Sequence, residues 1–140
     1  VDNYSKDKTR EIAEGYGYRF FLRGPERSSQ VNFGVEQAKG EYIYRVDSDF
    51  ILDSVIVEEA VKKCEKESYD AIAVDNTSEP TTSFWSEVRK FERDCYRDDE
   101  LNIAARFFKK NVFNVVQGFN ESLVAGEDYD FHNKLLKKGL

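Results

Sequence analysis

Carboxylates placed where backbone elements end are the residues of this chain best suited to chemistry. Asp47-Ser48-Asp49 sets two acids one residue apart, directly after Tyr42-Ile43-Tyr44-Arg45-Val46. That run is aromatic and β-branched, the composition of a strand. Side chains at the carboxyl end of such a strand leave the sheet and face the crevice in which open α/β sheets bind ligands. Two oxygen ligands there can hold a hard divalent cation, with positions left open for a substrate's phosphates. A second acidic cluster, Glu127-Asp128-Tyr129-Asp130, opens the last helix, and a third pairs Asp2 with Asp7 in a polar turn. Each also has a plainer explanation. The helix dipole favours acids at a helix start, and Asp-rich turns cap themselves.

The elements that must position these acids alternate along the chain. Val1 to Thr9 reads as a strand end, a turn and a helix start, with Ser5 or Asp7 as cap and Gly15 and Gly17 as terminators. Tyr18 to Leu22 reads as a strand closed by Gly24-Pro25. Ser28 then caps a helix with Val31, Val35 and Ala38 on one face, ended by Gly40. After the strand to Asp49, Asp53 or Ser54 caps a helix whose Val57, Ala60, Val61 and Cys64 repeat at helical spacing. Tyr69 to Asp75 is another strand ending in an acid. This rhythm predicts an α/β fold, Rossmann-like, with a mostly parallel sheet and helices on both faces.

Beyond Asp75 the pattern changes to a loop over Asn76 to Ser83, then a charged helix from Phe84 to Tyr96. Trp85, Val88 and Phe91 form its apolar stripe; Phe84 and Trp85 could stack on an acceptor, though aromatics at this spacing are more often core. Ala104 to Phe108 is a possible strand, and Lys109 to Val116 a short helix closed by Gly118. Glu127 to Lys138 is the last helix, with Phe131, Leu135 and Leu136 inward and Gly139 at its end. His132, the single histidine, reads as a packing or surface residue, and Arg106 as a surface arginine.

Composition bounds the function. The 140 residues suit one domain with one core, and a net charge of −6 argues against a nucleic-acid partner. No apolar run approaches the ~18 residues of a membrane span, so membrane attachment would have to come from regions outside this chain. Cys64 and Cys95 lack metal-type spacing and read as free thiols of a reducing, cytoplasmic setting. The chain starts in what reads as the end of a strand, which predicts a missing βα unit in front.

Five segments taken in order resemble the motifs of the family 2, GT-A fold glycosyltransferases. Val1 to Thr9 resembles that family's Asp-Asp-Gly-Ser-Thr-Asp-Gly-Thr turn, and Glu26 to Ile43 its Arg-Asn-x-Gly…Ala-x-Gly-Glu-Tyr-Ile segment. Asp47-Ser48-Asp49 stands at its Asp-x-Asp, Gln117-Gly118-Phe119-Asn120-Glu121 resembles its Gly-Gly-Phe-Asp-Glu loop, and Glu127-Asp128 its Glu-Asp pair. The resemblance implies inverting transfer of a sugar from a nucleotide-diphosphate donor to a saccharide, lipid or other hydroxyl acceptor. It implies a donor half over residues 1–76 and an acceptor and base half over residues 77–140. Asp2, Asn3, Arg27, Asp47 and Asp49 would hold the nucleotide sugar, Asp49 and Asp47 the Mg²⁺ or Mn²⁺. Gln117, Gly118 and Phe119 would line the acceptor side. Asp128 would be the general base, with Glu127 second. Val31 stands where the family has an arginine, so Arg27 is the candidate for phosphate, and Asn3 replaces an Asp. The resemblance also allows a cytoplasmic site peripheral to a membrane.

Two other readings remain at this stage. Asp47 to Leu52 also resembles the start of haloacid-dehalogenase-type phosphatases. There Asp47 would be the nucleophile and Asp49 the acid, with Thr77 or Ser78, Lys109 or Lys110, and Asp128 with Asp130 completing a Mg²⁺-dependent site. A third reading is a non-catalytic nucleotide-sugar-binding module.

Overall fold

The computed structural model describes residues 1–77, 83–97 and 103–140. Its sheet has three short strands, β1 (Tyr42–Tyr44), β2 (Ala71–Ile72) and β3 (Phe107–Lys109), in the order β1-β3-β2. β3 pairs antiparallel with both neighbours, Ile43 and Ala71 lying opposite Phe108, and Tyr44 and Ile72 opposite Phe107. The mostly parallel sheet predicted from the alternating elements is therefore corrected. β1 and β2 do run in the same direction, as a helical crossover requires, but the later β3 enters between them and reverses every pairing. Among the described residues a parallel contact survives at one place, the bridge between Asp2 and Leu22. It goes no further because the chain turns at once: Tyr4 has φ 58° and the Asp2 carboxylate accepts from the Ser5 amide at 2.7 Å.

Strand alternation splits the core. Phe108 points to a cluster with Val35, Val112, Phe113, Phe119, Phe131 and Leu135, while Phe107 points the other way, to Ala60 and Cys64. The first cluster is roofed by α2 (Arg27–Gln37), α5 (Lys110–Val115) and α6 (Glu127–Lys138); the second by α3 (Ile56–Lys66). The sheet is thus covered on both faces. Burying one such phenylalanine contributes on the order of 1.5–3 kcal/mol, and Phe119 stacks on Phe131 with centroids 4.4 Å apart.

The remaining helices are α1 (Thr9–Gly15) and α4 (Phe84–Cys95). Asp7 holds the start of α1, accepting from the Thr9 amide at 3.0 Å, and Asp53 does the same for the turn before α3 through the Val55 amide. Ser28 does not cap α2: it lies buried with its hydroxyl unpartnered, and Glu26 precedes the helix without a side-chain cap. Ser83 and Ser86 form a reciprocal capping box on α4. The apolar stripe of α4 is not core. Trp85 and Phe91 are each 72% exposed, and Phe84 and Val88 are exposed too. Val57 and Leu136, also expected inward, lie at the surface, Leu136 at the margin of its helix's apolar arc and Val57 in the first turn of α3. The loop expected at Asn76 to Ser83 lies partly outside the described residues. Cys64 is buried and Cys95 exposed, both free thiols.

Candidate functional site

β1 delivers two charged side chains to opposite tasks. The ladder continues past Tyr44, with the Arg45 amide bonded to the Arg106 carbonyl at 2.8 Å. Alternation puts Arg45 on the same face as Ile43, under the start of α6, and it is buried there. α6 begins after Gly126, whose φ of 76° turns the chain so that Glu127 and Asp128 head the helix. The Arg45 guanidinium forks onto Asp128, with Nη1 donating to Oδ1 at 3.1 Å and Nη2 donating to Oδ2. Its Nη1 lies 3.9 Å from Glu127 Oε1, and its guanidinium carbon lies 5.5 Å from the centre of the Phe119 ring.

Asp47 is held from two sides. Arg27, the first residue of α2, donates to Oδ1, and Arg106 donates to Oδ2 at 2.9 Å. Arg27 also reaches Glu127 Oε1, at 3.6 Å. One arginine therefore spans the Asp-x-Asp stretch and the acids of α6, and Arg27, Arg45, Arg106, Asp47, Glu127 and Asp128 form a single charge network.

The network polarises its acids. Burial works to raise the Asp128 carboxyl, but hydrogen bonds from Arg45 and Glu127 and the charges of Arg45 and Arg27 hold it well below the usual carboxylate range. Burial pushes the Glu127 carboxyl up, helped by its hydrogen bond to Asp128. The two neighbouring acids are thus pushed in opposite directions, Asp128 toward the anion and Glu127 toward the neutral acid. Asp47 is lowered against the cost of its burial by Arg106, Arg27 and Arg45.

The other expected site residues lie apart from this network. Asp49 is exposed and enters no ion pair among the described residues. Asp2 spends both oxygens on Ser5. Asn3 leans on the Gly24-Pro25 turn so closely that a Cβ at Gly24 would meet its Oδ1 at 2.0 Å. Gln117 is exposed with φ 62°. Gly118 is buried at φ 65°, and a Cβ there would come within 2.7 Å of the Phe113 ring, so glycine is required. Phe119 has its ring in the core, and Asn32 clamps its backbone, accepting from its amide and donating to its carbonyl at 2.9 Å each.

The donor set for a metal is small. No group of three His, Cys, Asp or Glu side chains gathers among the described residues. Both oxygens of Asp47 are taken by arginines, which leaves Asp49 as the open carboxylate. One carboxylate together with a substrate's phosphates is a normal way to hold Mg²⁺, so the residues fit a cation that arrives with a diphosphate and do not form a cage of their own. Of the alternative phosphatase residues, Lys109 pairs with Asp70 and Lys110 donates to the Ala38 carbonyl, both away from Asp47, while Ser78 lies outside the described residues.

Two clefts flank the network. One of about 660 Å³ is bordered by Asp75, Arg97, Arg106, Asp128 and Tyr129. The other, of about 700 Å³, runs from Val1 past Arg27 to Asp47 along the free edge of β1.

Arg45 and Arg106 are the members of this network that sequence reasoning did not place in it. Arg106 is mostly buried on Asp47, not at the surface. The signal for Arg45 was present in the alternation, since it shares a face with apolar Ile43. His132 is half-buried, with its Nδ1 unpartnered. No helix among the described residues is long and apolar enough to cross a membrane.

The family model described as Glycosyl transferase family 2 matches residues 1–120. The match stops before Glu127 and Asp128. No curated protein matches the chain.

Proposed function

The chain belongs to glycosyl transferase family 2, and from that premise we propose an inverting transferase of GT-A type that moves a sugar from a nucleotide-diphosphate donor to an acceptor hydroxyl. The observation that carries this reading is Arg27, which touches Asp47 on the donor side and Glu127 on the base side. Donor and base groups then act within one network. Asp47 and Arg27 take the donor, with Asp2 and Asn3 toward the nucleoside, and Gln117 and Gly118 border the acceptor side.

Asp128 suits the task of general base because it is ionised and borders an open cleft. The acceptor oxygen bonds to the anomeric carbon as its proton passes to Asp128. The bond from that carbon to the diphosphate oxygen breaks, and the electron pair leaves with the nucleoside diphosphate. Configuration inverts because a single displacement occurs. Asp49, and Asp47 once its arginines turn to the phosphates, would hold Mg²⁺ or Mn²⁺, which neutralises charge on the leaving diphosphate when bound. A base with a strongly lowered pKa accepts protons with little driving force, so metal and arginines must carry much of the stabilisation of the leaving group.

The test is calorimetric titration of UDP, GDP and CDP with and without Mn²⁺ on the full chain, with Asp128→Asn beside it. The expected result is metal-dependent binding of one nucleotide, kept in Asp128→Asn while sugar transfer falls by a factor of roughly 10²–10⁴. Binding lost and transfer kept in Asp128→Asn would reverse the assignment.

A further inference from the structure

The fork of Arg45 on Asp128 is more than a stray buried ion pair. Burying a guanidinium is costly unless its geometry is fixed and its partners are charged, and Arg45 is 7% exposed with its Nε left unpartnered. Its two terminal nitrogens meet both Asp128 oxygens, and its face lies over the Phe119 ring. That ring is itself fixed, stacked on Phe131 and clamped at its backbone by Asn32. A rigid column therefore runs from the core through Phe119 to Arg45 and up to Asp128.

We propose that Arg45 is the positioning residue of the base, holding the Asp128 carboxylate at a fixed height and rotation so that its remaining lone pairs face the cleft bordered by Arg106 and Tyr129. The proposal rests on the reading of Asp128 as base. A carboxylate offers about four lone-pair sites; the fork uses one on each oxygen, Glu127 lies against another, and what remains is left for an acceptor hydroxyl. Arg45 touches no substrate in this arrangement and acts through Asp128. A lysine cannot replace it, because a point charge does not fix a carboxylate's rotation as a planar fork does. The charged groups facing Asp128 are Arg45 from the end of β1, Arg27 from α2 and Glu127 from its own helix.

The experiment uses the full chain carrying Arg45→Gln, Arg45→Lys or Arg45→Ala. Nucleoside diphosphate release is followed from the nucleotide sugar matching the nucleotide bound in the titration above. The expected result is a kcat about 10²-fold lower in Arg45→Gln, with donor KM changed less than about twofold. Arg45→Gln combined with Asp128→Asn should be no slower than Asp128→Asn alone, and millimolar guanidinium should restore part of the kcat of Arg45→Ala. Arg45→Lys keeps the buried charge and should fold even if the glutamine variant does not, yet its kcat should still drop. Donor KM rising as kcat falls, additive losses, or wild-type kcat in Arg45→Lys would each overturn the proposal and leave Arg45 a core staple.

A second readout needs no substrate. The ¹³C carboxyl signal of Asp128 should titrate at a higher pH in Arg45→Lys or Arg45→Gln than in the wild type. An unmoved midpoint overturns the Arg45 assignment whatever the activity. A moved midpoint in a chain that transfers no sugar overturns the glycosyltransferase reading of Asp128 and leaves the pairing standing.

Discussion

The two ends of the chain are built in opposite ways. Residues 103–140 supply Ala105, Phe107, Phe108, Val112, Phe113, Val116, Phe119, Phe131 and Leu135, most of the buried core among the described residues. Residues 1–26 supply no buried side chain, and α1 has none. Their candidate site residues follow suit. Asp2 and Asp7 are satisfied by neighbours three and two positions away, Ser5 and Thr9. Asp128 is held by Arg45 from 83 positions away, and Phe119 by Asn32 from 87. A local turn forms almost wherever its residues are, whereas a long-range clamp exists only in the folded chain. The side proposed for the base is therefore fixed by long-range clamps, and the side proposed for the nucleoside is shaped by short turns that a bound donor would order further.

The largest test of that contrast is Phe131→Ala. Phe131 is fully buried and touches Phe108, Phe113 and Phe119. Removing such a ring costs about 3–5 kcal/mol, a large share of the ~5–15 kcal/mol that stabilises a domain. The midpoint of urea unfolding should fall accordingly, and the Arg45–Asp128 pair should be lost with the column beneath it. A cost under about 1 kcal/mol would mean that this cluster is not the core the packing describes.

Acid provides a smaller test of the same region. Asp128 has its folded pKa lowered from an ordinary value of 3.8. A lowered acid adds stability that is present above its unfolded pKa and lost as pH falls through the folded one. Glu127 is raised from 4.5, so it opposes this by favouring the folded state at acid pH. Stability should therefore decline as pH drops below about 4, and Arg45→Gln should flatten that decline by removing the main cause of the Asp128 shift. Thermal melts from pH 2 to 6 would read it. An unchanged slope in the variant would show that the pair does not couple to folding.

How much of this was legible beforehand depended on the range of the interaction. α6 was readable to its ends, Glu127 and Lys138, because both flanks are glycines that the structure holds at positive φ. The order of the motifs sufficed for the family. Strand direction was not readable. Phe107 and Phe108 are buried on opposite faces, so no alternation marks β3, and nothing local says that it enters between β1 and β2. Arg106 read as a surface arginine and Arg45 as one more strand residue because their partners, Asp47 and Asp128, are distant in sequence. The stripe of α4 was visible as a pattern, but a pattern states only that a face is apolar, not whether anything covers it.

The smallest expected effect is the one that tests the open end. Ile12 lies on α1 and is 57% exposed, without a buried neighbour on its helix. Ile12→Ala removes a β-branched residue from a helix, a slight gain in propensity, against a slight loss of contact. The net change should stay within about 0.5 kcal/mol. Amide exchange should tell the same story: the α1 amides should exchange through openings that cost far less than global unfolding, while the α6 amides near Phe131 should exchange only with it. If Ile12→Ala instead cost as much as a core deletion, or α1 were protected as well as α6, the first 26 residues would be packed against something that the described contacts do not contain. The proposed division into a clamped base side and an orderable donor side would then fail.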